Sequence, residues 1–88
     1  MPTSSETTVQ LPDDVALHAR PAADFVRAAM GFEAQIVVRA GGQEANAKSL
    51  MAVLALGAKA GTPLGLRADG PDADAAVERL AGCIADFE

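Results

Sequence analysis

The apolar residues of this chain switch repeatedly between strict alternation and helical spacing, all within 88 residues. A segment that alternates polar and apolar residues has one wet and one dry face only as a strand. One with apolar residues at i, i+3, i+4 and i+7 has them only as a helix. The order of these segments therefore leaves few architectures open. Thr7-Thr8-Val9-Gln10-Leu11 alternates and reads as a strand, closed by Pro12-Asp13-Asp14. From Ala19 or Pro21 to Met30, Ala22, Phe25, Val26 and Ala29 share a helical stripe, with Asp24 and Arg27 outside it and Gly31 ending the helix. Gln35-Ile36-Val37-Val38-Arg39 is short and β-branched, a strand; Gly41-Gly42 turns it into a hairpin with Gln43–Ala47.

Ser49 then caps a short helix from Leu50 to Leu56, stopped by Gly57. Thr62–Ala68 alternates again, and Pro63 confines that strand to an edge position or to its own first residue. After Gly70-Pro71-Asp72 comes the cleanest helical stripe: Ala73, Ala76, Val77, Leu80, Cys83, Ile84 and Phe87. Cys83 on that stripe reads as a small core hydrophobe. The order β-α-β-β-α-β-α implies an α+β fold, an open-faced β-sandwich: a four-stranded, mostly antiparallel sheet with three helices on one face. At 88 residues this is a single domain, with residues 1–6 read as a loose N-terminal extension. Its core must be aliphatic, because there is no Trp or Tyr and only Phe25, Phe32 and Phe87.

Charge and composition narrow the function. Residues 1–68 are neutral overall. Asp69, Asp72, Asp74, Glu78, Asp86 and Glu88 face only Arg79 in the last segment, so the net charge of −5 lies there. Clustered Lys and Arg are what hold a phosphate backbone, so nucleic-acid binding is not expected. The acidic segment reads as a solvated helix face or, alternatively, as a partner-selecting one. One cysteine allows no internal disulfide and suits a reducing compartment. No apolar run has the roughly 20 residues of a membrane span and no signal pattern is seen, so a cytoplasmic protein without membrane insertion is expected.

The only histidine, His18, sits in Val15-Ala16-Leu17-His18-Ala19-Arg20-Pro21-Ala22-Ala23, where a loop turns into a helix. An isolated histidine is otherwise a solvated or a core residue. A helix start, however, offers unpaired N–H groups and the positive end of the dipole, which together hold anions. The dipole also pushes the imidazole toward its neutral, nucleophilic form. Arg20 adds a planar cation suited to phosphate oxygens. Pro21 is preset for a first helical turn, and Ala19, Ala22 and Ala23 leave room for an anion and a partner. The set reads as a histidine built to carry phosphate. Other chemistries fall away. One His and one Cys build no common zinc site, Gly41-Gly42 is too short for a nucleotide loop, and nothing marks the acid and oxyanion hole of a hydrolase. No metal and no cofactor are expected.

Leu17-His18-Ala19-Arg20-Pro21-Ala22-Ala23, followed by Ala47-Lys48-Ser49-Leu50-Met51-Ala52-Val53-Leu54-Ala55-Leu56-Gly57, resembles the HPr family, the histidine-containing phosphocarriers of the bacterial phosphoenolpyruvate:sugar phosphotransferase system. The resemblance runs from about Thr7 to Phe87. It implies that His18 accepts a phosphoryl group on Nδ1 from enzyme I and passes it to enzyme IIA domains, with Arg20 neutralising charge. The protein would be a carrier with no turnover of its own. In the family, the serine matched by Ser49 is phosphorylated in many bacteria by an ATP-dependent HPr kinase; a helix N-cap is its structural alternative. Leu50, Met51 and Leu54 match the family's apolar docking patch, with Arg27 and Lys48 as a basic rim; each is otherwise core or solvated charge. In the short helix, Val53 and Leu56 are expected inward and Met51 and Leu54 outward. The family usually has Gly before the Leu-His pair. Ala16 stands there, at a cost of roughly 1 kcal/mol if the backbone has positive φ.

Three functions follow: a sugar-transport phosphocarrier, a regulatory HPr-like protein of a truncated phosphorelay acting through His18 or Ser49, and a binding module that is not phosphorylated. A monomer is the default for a carrier that must show one face to successive partners.

Overall fold

The computed structural model describes residues 4–14, 16–17 and 19–87. Its elements are β1 (Ser4–Gln10), α1 (Ala19–Ala29), β2 (Gln35–Ala40), β3 (Gln43–Asn46), α2 (Leu50–Ala55), β4 (Pro63–Asp69) and α3 (Ala73–Ala85). The sheet order is β1-β4-β2-β3, and each neighbouring pair is antiparallel. The expected open-faced sandwich is the observed fold.

Register follows from which side chains must be dry. Val9 lies opposite Leu64, Thr7 opposite Leu66, and Val38 opposite both Leu66 and Ala45. These residues, with Ile36 and Ala68, form the inner face, and a one-residue slip would turn all of them outward. α3 packs over β1 and β4, α1 against α3 and α2, and α2 beside β3. The helices bring Ala22, Phe25, Val26, Ala29, Val53, Ala76, Val77, Leu80 and Ile84 to the same layer, and no polar or charged side chain is buried among the described residues. The outer sheet face is polar, crossed by the ion pairs Arg39–Glu44 at 2.7 Å and Arg67–Asp69 at 3.3 Å.

Several expectations are corrected. β1 begins at Ser4, so Ser4, Ser5 and Glu6 of the supposed loose extension pair with Asp69, Ala68 and Arg67. Their side chains are polar on both faces, which hides the alternation. Of the two places expected for Pro63, the structure takes the first residue of the strand, since β4 is interior to the sheet. Cys83 and Phe87 are half-buried at the margin of the α3 stripe. Burial still pushes the Cys83 thiol above its ordinary pKa, which keeps it un-ionised and poorly reactive.

The Phe32–Ala34 connection is clasped from two sides. The Asp72 carboxylate, just before α3, accepts hydrogen bonds from the backbone N–H groups of Glu33 and Ala34, both at 2.8 Å. On the other side, the Lys48 ammonium donates to the Phe32 carbonyl at 2.6 Å. Gly70 approaches so closely that a Cβ would stand 2.7 Å from Ala34 Cα, at φ +152°, so only glycine fits there. The bond from Glu33 above all, with that from Ala34, holds the Asp72 pKa below its ordinary value despite partial desolvation. A depressed carboxylate stabilises the fold above its unfolded-state pKa, and that stabilisation is lost as pH falls through the folded value. Asp72→Asn keeps one acceptor but turns a donor toward the other N–H. It should lower the melting temperature at neutral pH, and the deficit should shrink below about pH 4, where free carboxylates protonate. Thermal unfolding of both proteins across this range checks it; a deficit that stays constant with pH contradicts it.

Candidate functional site

The segment leading into α1 is sewn to the segment leaving α2. The Leu11 N–H donates to the Thr62 carbonyl at 2.9 Å, Gly61 N–H to Pro12 at 3.1 Å, and Leu17 N–H to Ala58 at 2.9 Å. Leu11 and Leu17 are buried, which anchors both ends of the loop in the core. His18 and Val15 lie outside the described residues. The expectations for the His18 side chain and for the φ of Ala16, which is set against Val15, therefore lie outside them too, while Ala16 itself is half-buried. α1 starts at Ala19, the next residue after His18, with no acidic residue in its first turn. Pro21 and Ala22 are buried and fix the helix start against the body; Ala19 and Arg20 are exposed and Ala23 half-buried. Among the described residues no carboxylate pairs with Arg20. A helix start with small side chains and, among the described residues, a guanidinium paired to no carboxylate favours an anion.

α2 lies antiparallel to α1. Lys48, just before α2, reaches Phe32 just beyond α1, while Ala58, just after α2, meets Leu17 just before α1. The two helix starts thus stand at opposite ends of one two-helix face, about 16 Å apart for an eleven-residue α1. Ser49 occupies the N-cap of α2 in extended conformation; its hydroxyl accepts from the Ala52 N–H at 3.3 Å and it is half-buried. The turn before it is set by Asn46, whose side-chain oxygen accepts from Lys48 N–H at 2.9 Å.

On α2, Met51 is 80 % exposed and Leu50 40 % exposed, whereas Val53 is fully buried. Leu54 and Leu56 are both half-buried against the core, so the expected split of Leu54 outward and Leu56 inward does not occur. Arg27 is exposed and sits 3.4 Å from Asp24, one turn back on α1. Lys48 is half-buried in its clasp. Among the described residues, the large exposed apolar residue not singled out from the sequence is Met30, 66 % exposed directly after α1. Its place outside the Ala22–Phe25–Val26–Ala29 stripe was the available signal. Two surface recesses lie on the sheet side, one of about 330 Å³ between Arg39 and Arg67 and one of about 440 Å³ along β2 and β3. No His/Cys/Asp/Glu group fit for a metal, and no helix long and apolar enough to cross a membrane, occurs among the described residues.

Comparison with known proteins gives this geometry a lineage. The family model "PTS HPr component phosphorylation site" matches residues 5–86. The phosphocarrier protein HPr of Vibrio cholerae is 44 % identical over 75 residues, covering 85 % of this chain and 88 % of that protein. A multiphosphoryl transfer protein of Xanthomonas campestris is 47 % identical over 75 residues, 85 % of this chain but 9 % of that much longer protein. A crystal structure of HPr from Thermoanaerobacter tengcongensis superposes with a TM-score of 0.87 at 38 % identity, covering 92 % of this chain and 91 % of that one. This chain belongs to the HPr family of phosphotransferase-system phosphocarriers.

Proposed function

We propose that this protein carries a phosphoryl group on His18, accepting it from phosphorylated enzyme I and passing it to enzyme IIA domains for sugar uptake in the cytoplasm. The observation that carries the reading is the family match across residues 5–86, in a chain whose only histidine directly precedes α1. The match to one part of a multiphosphoryl transfer protein supports the same relay, since there an HPr-like segment shares a chain with other parts.

In the first transfer, the lone pair of neutral His18 Nδ1 attacks the phosphorus of the donor's phosphohistidine in line. The new N–P bond forms as the donor's N–P bond breaks, and that electron pair returns to the donor nitrogen. Passing the group to an enzyme IIA histidine reverses the roles. No proton needs to move at the phosphorus, so positioning and charge neutralisation carry the rate. The N–H groups of the α1 first turn and the Arg20 guanidinium meet the developing charge.

Incubation with enzyme I and phosphoenolpyruvate should give an acid-labile, base-stable adduct that His18→Ala abolishes. An acid-stable adduct alone, or undiminished labelling of the alanine variant, contradicts the carrier reading. Arg20→Ala should slow transfer about ten-fold or more, as expected for loss of a charge-assisted contact. Arg20→Lys should fall between the two, with folding unchanged; transfer at the native rate by Arg20→Ala with both donor and acceptor removes Arg20 from the mechanism.

Ser49 is the regulatory position in this reading. A phosphoryl group from an HPr kinase would place about two negative charges beside the exposed Leu50 and Met51. Asp is itself a good N-cap, and an anion suits that helix end. Ser49→Asp should therefore raise KM for enzyme I while leaving the melting temperature unchanged. Unaffected transfer takes Ser49 out of the interface, and early unfolding makes its role structural.

A further inference from the structure

Most positive side chains of this protein are engaged within the fold. Of the seven, Arg27 stands beside Asp24, Arg39 beside Glu44 and Arg67 between Glu6 and Asp69, while Lys48 donates to the Phe32 carbonyl. Among the described residues no carboxylate pairs with the other three, Arg20, Lys59 and Arg79. Arg79 lies on α3. Arg20 and Lys59 come from two segments that backbone hydrogen bonds bring together at the entry to α1.

Lys59 is carried by the segment between α2 and β4, which is bonded rung by rung to the segment between β1 and α1. Leu17 N–H meets Ala58, Gly61 N–H meets Pro12, and Leu11 N–H meets Thr62. Lys59 also opens a tight turn: its carbonyl accepts from Thr62 N–H at 3.0 Å, with Gly61 in third place at φ +79°. Ala58 is buried and Lys59 exposed, so the backbone of this lysine is fixed while its side chain meets water. The Ala58 carbonyl and Lys59 Cα share one peptide unit, which puts Lys59 Cα within about 6 Å of the Leu17 nitrogen. A lysine's four-carbon stem reaches about as far. His18 is the residue that follows Leu17. The acids of the facing segment, Asp13 and Asp14, are exposed. Asp13 Oδ1 lies over Gly61, 3.7 Å from where a Cβ would stand, one rung away from the Leu17–Ala58 bond.

Resting on the carrier role assigned above, we propose that Lys59 is a second cation of the phosphoryl site, its ammonium meeting one phosphoryl oxygen on His18 while Arg20 meets another. The two cations differ in use. A planar guanidinium fixes the direction of an oxygen, whereas an ammonium on a flexible stem follows the group as it passes between donor and acceptor. Both oppose protonation of the free imidazole, which keeps the attacking nitrogen neutral.

The test reads the His18 pKa by ring NMR in the protein alone, beside transfer kinetics from phosphorylated enzyme I, for the wild type and Lys59→Gln. Removing a cation about 8 Å away in water-like surroundings should raise the His18 pKa by about 0.3 or more at low salt. That rise should vanish at roughly 1 M salt, where the screening length is about 3 Å. Transfer kcat should fall about three-fold or more, with KM changed less than about two-fold. Lys59→Arg should restore both readings. Arg39→Gln makes the same charge change on the outer sheet face and should move neither. Glutamine makes the same backbone bonds in the turn, so the melting temperature of Lys59→Gln should equal that of the wild type.

An unchanged His18 pKa removes Lys59 from the site. A rise in KM alone places it against the partner and not the phosphoryl group, and an equal pKa shift in Arg39→Gln reduces the effect to net charge. Early unfolding of Lys59→Gln makes its role structural. Each of these overturns the proposal. The carrier reading fails on a different result, a wild-type chain that takes no phosphoryl group, so the two failures are distinct.

Discussion

The single apolar layer between the sheet and its three helices governs the rest of this molecule. Without Trp or Tyr, that layer is built of aliphatic side chains around Phe25, and it contains no buried polar or charged side chain among the described residues. Burial of this kind is non-directional, contributing roughly 25 cal/mol per Å² of apolar surface. Specificity must therefore come from shape and register. Alanines at positions 22, 29, 68 and 76 are completely buried and let helices and sheet approach closely. A small domain with so dry a core has nowhere to keep polar chemistry except its rim.

That rim is organised by pairing helix ends. The antiparallel placement of α1 and α2 sets the end of each beside the start of the other, held by Leu17 on Ala58 at one corner and by Lys48 on Phe32 at the other. The corner at the start of α1 has the first turn of the helix, small residues and Arg20, which suit an anion. The corner at the start of α2 collects Ser49, Leu50 and Met51, which suit a protein surface. A carrier needs both: a place for the group it moves and a surface that successive partners grip. The strands act at a distance, by fixing where the helices begin.

Much of this was legible in the residues themselves, because the two apolar periods are clean wherever one face of an element is dry. The stripe from Ala73 to Ile84 and the alternation of Leu64, Leu66 and Ala68 placed α3 and β4 within a residue or two. Pro21 marked the start of α1 as well, being preset for a first helical turn, whereas the chemistry assigned to His18 lies outside the described residues and rests on the proposed function. The start of β1 was not, since Ser5 and Thr7 face inward as polar residues and mimic a loop. In α2, six residues are too few for the helical stripe to choose between Leu54 and Leu56. The Asp72 clasp joins residues 38 and 39 positions apart and has no local signal. It emerges only from tertiary packing, as does the bond from Lys48 to Phe32.

The central claim is that one ring nitrogen at the threshold of α1 carries the phosphoryl group. The most direct measurement is ¹⁵N–³¹P correlation NMR on chain labelled at the histidine ring and charged with enzyme I and phosphoenolpyruvate. The account predicts one ³¹P resonance coupled to His18 Nδ1, which disappears when an enzyme IIA acceptor is added. A phosphorus signal coupled to no histidine nitrogen, or coupled to His18 but retained in the presence of every acceptor tried, would contradict it.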